Sequence, residues 1–116
     1  MSDYIEYLKE VFSGLGVISA KRMFGGHGLY HDSLMFALIA DDVVYLKADT
    51  QNADHFEELG LEKFQYEKSG KLMSISYYQA PDELFDDPEM AAHWARRSWE
   101  AALRGDQKKR KPTHFK

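Results

Sequence analysis

The spacing of turn residues between positions 18 and 48 constrains this chain more than any other feature. Four stretches, near 18–24, 27–31, 34–40 and 43–48, carry the two-residue period of β-strands. They are separated by Gly25-Gly26, His31-Asp32-Ser33 and Asp41-Asp42, residues that suit tight reversals. Connections this short make antiparallel neighbours, because a parallel crossover needs a much longer segment. The expected unit is a β-meander. Within it, Leu34-Met35-Phe36-Ala37-Leu38-Ile39-Ala40 is apolar on both faces, which predicts a central strand covered on both sides by helices or by another subunit. The next strand alternates, with Val44, Leu46 and Ala48 on one face and Val43, Tyr45 and Lys47 on the other.

Helical periodicity flanks the meander. Ile5, Leu8, Val11, Phe12 and Leu15 recur at spacings of three and four, with Asp3 and Glu6 placed as a capping box and Gly14 and Gly16 as the stop. Thr50 is the predicted N-cap of a short helix ending at Gly60. A second hairpin joins 64–67 to 72–78 through Ser69-Gly70 and ends at Ala80-Pro81. Asp87 caps a last helix with Pro88 at its first position, where a missing N–H costs nothing. Its apolar stripe is Ala91, Trp94, Ala95, Ser98, Trp99 and Ala102, and Gly105 is its predicted end. The fold class is therefore α+β, an antiparallel sheet with packed helices in the order α-β-β-β-α-β-β-α, with three or four strands before the second helix. Residues 1–105 form the expected domain, and 106–116 a basic, flexible tail.

A chain of 116 residues suits one core, and its 44% hydrophobic content is that of an ordinary globular protein. The absence of cysteine excludes disulfides, thiol catalysis and Cys-ligated metals. No basic leader and no run of eighteen apolar residues occurs, so the expectation is a cytoplasmic protein with no membrane partner. The net charge of −4 hides an asymmetry: residues 104–116 carry +5 and residues 1–103 carry −9. An acidic body is a poor surface for a phosphate backbone, so only the tail suits direct nucleic-acid binding. There Lys108, Lys109, Arg110 and Lys111 could neutralise about four phosphates without reading bases. The plainer reading is a solubilising end.

Elsewhere the chemistry is sparse. Arg22, Phe24, Gly25, Gly26, His27 and Gly28 form a glycine-rich turn whose backbone N–H groups could cradle an anion, the basis for a small-ligand or enzymatic alternative. It lacks the Lys-Ser/Thr ending of a P-loop and leads into a strand, so hairpin geometry explains its glycines better. His27 and His31 would lie about 13 Å apart on a strand, too far to share a metal. The serines sit in no nucleophile elbow, and the acidic pairs suit turns and helix starts. Phe24, Phe64, Tyr66, Tyr77 and Tyr78 could stack bases only with more interleaved cations than these strands supply. No catalytic, cofactor-binding or metal-binding residues are expected.

The stretch RMFGGHGLYHDSLMFALIADDVVYLKAD at 22–49, followed by Ser76-Tyr77-Tyr78 and Pro81, then Asp87-Pro88 and Trp94-Ala95, resembles the N-terminal domain of the TfoX/Sxy competence regulators over roughly residues 3–104. The resemblance implies a fold of helix, three strands, helix, two strands and helix, akin to secretion chaperones, in a bacterial regulator of competence genes. It supplies no catalytic residues. Full-length regulators of that family carry a second, helical C-terminal domain with no counterpart in this sequence. The expected function is a non-enzymatic interaction module acting on a protein partner in transcription control, through the exposed sheet face or the Gly25 to Gly28 hairpin. The apolar strand at 34–40 together with Trp94 and Trp99 also points to a homodimer.

Overall fold

The computed structural model describes residues 3–23 and 25–110, the last of these by its backbone only. The elements are α1 (Asp3–Val11), β1 (Ser19–Met23), β2 (Gly26–His31), β3 (Leu34–Ala40), β4 (Val43–Lys47), α2 (Ala53–Glu57), β5 (Lys63–Lys68), β6 (Lys71–Gln79), a 3₁₀ turn (Asp82–Asp86) and α3 (Pro88–Arg110). Four strands precede α2, so the α+β class holds with one strand more than the shorter order. The six strands form a single antiparallel sheet in the order β1-β2-β3-β4-β6-β5.

Local chemistry sets the reversals. Asp32 and Ser33, Asp41 and Asp42, and Ser69 and Gly70 all have positive φ at both turn positions. That is the backbone whose twist matches a two-residue hairpin. Asp87 caps α3 as its sequence predicts: its carboxylate accepts from the Met90 N–H at 3.1 Å.

The helices cover one face. Phe12 meets Phe36 edge-on with ring centroids 5.5 Å apart, and Phe56 lies between Tyr78 and Trp94 at 5.0 and 5.1 Å. Leu8, Phe12, Leu29, Phe36, Leu46 and Phe56 are all buried in this core. Each stabilises the fold by roughly 1.5–3 kcal/mol relative to exposure. Gly14 lets the chain after α1 lie against α3, since a Cβ there would come within 2.8 Å of the Ala92 Cβ. β3 is buried on both faces: Ala37 and Ile39 join the helix-side core, while Leu38 is only 2% exposed between Gly28 and Tyr45 in register.

Three boundaries differ from the sequence expectation. Regular α1 stops at Val11, and Phe12 to Leu15 continue as turns that still bury Phe12 and Leu15. Asn52, not Thr50, stands at the start of α2; its side chain instead accepts from the Asp49 N–H and donates to the Lys47 carbonyl. Gly105 does not end α3, which runs on to Arg110, so the first five residues of the expected tail are helical. Glycine inside a helix costs about 1 kcal/mol. Arg104, one position earlier, is clamped to Asp49 and holds that turn in place.

Candidate functional site

The glycine-rich turn is built by close packing. Gly25 takes φ 77° in the β1–β2 reversal. A Cβ on Gly26 would collide with the Ile39 carbonyl oxygen, and one on Gly28 would come within 2.8 Å of the Met35 sulfur. Both glycines thus let β2 lie close against β3. Arg22 and His27 are register partners across the same hairpin, and Phe24 lies outside the described residues.

His31, four residues from His27, serves as a tie between segments. Its Nδ1 lies 2.9 Å from the Val17 carbonyl oxygen and must carry the hydrogen there, because a carbonyl only accepts. Its own carbonyl accepts from the Trp99 indole N–H at 2.8 Å. The aromatic residues do not form one stacking surface. Tyr78 packs on the helix side against Phe56, whereas its chain neighbour Tyr77 faces the other way beside Lys47. Burial pushes the Tyr77 hydroxyl up to about 12.

Among the described residues, an open cleft of about 490 Å³ lies where the last turns of α3 meet the sheet. Its floor is Ser76 and Tyr78 on β6, one wall is α2 with the loop that precedes it, and the other is the final part of α3. Arg104 donates from Nε and Nη2 to the two Asp49 carboxylate oxygens at 2.7 and 2.9 Å. That pair holds the Asp49 carboxyl below the usual carboxylate range. Asp49 Oδ1 also accepts from the Gln51 N–H, so the loop, α2 and α3 are fixed to one another. The Tyr78 hydroxyl donates to Glu57 at 2.5 Å, and this bond chiefly pushes its pKa up to about 12. Lys47, Lys63 and Lys108 complete the lining.

Sequence reasoning reached Lys108 but missed Lys47, Lys63, Asp49 and Arg104 as a group. Asp49 and Arg104 are 55 positions apart and belong to no motif. The available signal was the Asp49-to-Asn52 turn, which marks a pinned loop without saying what pins it. Lys109 lies on the same last turns of α3, next to Lys47. Lys111 and the Arg110 side chain lie outside the described residues.

The α+β sheet and its glycine-packed first hairpin coincide with a recognised domain. The model of the TfoX N-terminal domain matches residues 10–102, most of the chain. The chain belongs to the TfoX N-terminal domain family. It is 35% identical to the DNA transformation protein TfoX1 of Aliivibrio fischeri over 72 residues, 62% of this chain and 34% of that protein. It is 27% identical to protein Sxy of Escherichia coli K12 over 96 residues, 83% of this chain and 46% of that protein. The chain therefore spans less than half the length of either relative in these matches. No helix of the described TfoX-type domain is long and apolar enough to cross a membrane.

Proposed function

We propose that this TfoX-type domain is a non-enzymatic regulatory module of DNA transformation competence, and that it works by docking a protein partner on the β5–β6 hairpin. The supporting observation is an arm with unmet binding capacity. β6 pairs with β4 from Tyr77 to Gln79, extended at one end by the bond from the Ala48 N–H to the Ser76 carbonyl and at the other by that from the Ala80 N–H to the Val44 carbonyl. Beyond that, residues 65–75 pair only with each other. A two-stranded hairpin is marginal in water by itself. This one nevertheless carries Leu72 at 69% exposure, with Met73 and Tyr66 also exposed. Free strand edges beside apolar side chains suit a partner that adds a strand or lays an apolar face on the arm.

The test is a competence-gene reporter in a bacterium lacking its own TfoX-family regulator, supplied with this protein. The Leu72→Ser/Met73→Ser variant, folded as judged by thermal melting, should drop the reporter to the level of the empty strain. Full activity from that variant would overturn the arm reading. Loss of activity only on replacing Lys108, Lys109 and Lys111 with Gln, together with lost DNA retention, would replace it with direct binding through Lys108 and its neighbours.

A further inference from the structure

The cleft at the root of the arm carries cations that none of its ion pairs uses. Lys63 and Lys108 have no ion pair within 4 Å among the described residues, and the Lys63 ammonium lies over the Tyr78 ring at the cleft floor, 5.8 Å from its centroid. The two acids of the lining are already engaged, Asp49 by Arg104 and Glu57 by the Tyr78 hydroxyl. Of the five guanidinium N–H groups, the Asp49 clamp takes two, so Arg104 keeps donors in reserve. The clamp also fixes the guanidinium before any ligand arrives, which lowers the ordering cost of binding.

We propose that this cleft binds a small phosphorylated anion, held by Lys63, Lys108 and the remaining donors of Arg104 above Ser76 and Tyr78. A phosphate presents several charged oxygens to donors arriving from different walls, which matches cations contributed by β5 and α3. The cleft leaves room beside one phosphate group for an organic portion or a second phosphate. Nucleic acid fits less well. A duplex lying across this opening would extend over a body that carries −9 in residues 1–103, whereas a small anion meets only the cleft.

This inference stands independently of the docking arm, although Lys63 and Ser76 lie on the strands that lead into it. Calorimetric titration with pyrophosphate, and with ATP free of magnesium, should give saturable one-to-one binding that weakens with added salt. Succinate serves as the carboxylate control and a short DNA duplex as the macromolecular one. The Lys63→Gln/Lys108→Gln variant should lose about tenfold or more in affinity. Lys68→Gln/Lys71→Gln, at the arm tip, should retain full affinity. A measurement on the unaltered protein provides a second check: pyrophosphate should slow acylation of Lys63 and Lys108 but not of Lys68. Absence of saturable binding, equal loss in both variants, equal binding of succinate, or preferred binding of the duplex would overturn the proposal.

Discussion

The Trp99 indole N–H donates to the His31 carbonyl at 2.8 Å across 68 positions of sequence, fastening α3 to the β2–β3 turn. The two rings meet edge-on at 5.5 Å, and His31 in turn holds the Val17 carbonyl. One side-chain pair therefore joins the chain after α1, the sheet and the last helix. Trp99→Phe keeps an aromatic ring there but removes the donor, so it should cost about 1–2 kcal/mol. The expected result in urea is a lower midpoint with an unchanged slope. An unaltered midpoint would mean that water replaces the indole N–H without loss.

The Asp49–Arg104 clamp makes stability depend on acid in a defined direction. Its hydrogen bond to Arg104 places the Asp49 carboxyl below its unfolded value, so the folded state holds protons less readily there. The stabilisation is fully present above the unfolded pKa, near 3.8, and is lost as pH falls through the depressed folded value. Asp49→Asn should destabilise at neutral pH by about 1–2 kcal/mol, a figure reduced for the partial exposure of both side chains. The gap between the two proteins should close as pH drops below 3.8. Parallel stability curves down to low pH would exclude Asp49 as the linked group.

Gly25 and Gly26 should respond differently to alanine because they are glycine for different reasons. Gly25 has positive φ but no atom within 4 Å of an added Cβ, so Gly25→Ala carries only the backbone strain of about 1–2 kcal/mol. Gly26→Ala drives a methyl into the Ile39 carbonyl of the central strand, and β2 must shift off β3. Its cost should be the larger, about 2–4 kcal/mol. Thermal melts of the two variants decide the matter, and equal losses would show that turn conformation alone governs this hairpin.

These contrasts also mark what the sequence made legible. The two-residue period and the Asp-Ser, Asp-Asp and Ser-Gly reversals are local, so the hairpins could be read directly. Asp87 and Pro88 announced the start of α3 for the same reason. The end of α3 was not local. Gly105 favours a stop, and the carboxylate that holds Arg104 beside it lies 55 positions away. The cleft was hidden on similar grounds, since Lys47, Lys63 and Lys108 come from three elements with no shared spacing. The arm was visible as a hairpin, but that β4 leaves most of it unpaired is a property of strand lengths in the assembled sheet.

Ser98 lies on the apolar stripe of α3 and is completely buried, yet its Oγ has no hydrogen-bond partner among the described residues. A hydroxyl removed from water without a partner costs on the order of 1–3 kcal/mol in protein interiors. The small side chain still fits the contact between helix and sheet, where Ala91, Ala95, Ala101 and Ala102 are also buried. Ser98→Ala deletes the stranded hydroxyl, adds no volume and places the best helix former in the middle of a long helix. It should therefore stabilise the domain by about 0.5–1.5 kcal/mol, the part of the desolvation cost that the lost packing of one oxygen does not cancel. Ser98→Val adds carbon atoms to a site walled by alanines and should destabilise by overpacking. Denaturant titrations of the two variants give opposite signs on this account. A destabilised Ser98→Ala would reveal that the hydroxyl bonds a buried water or a backbone carbonyl in solution.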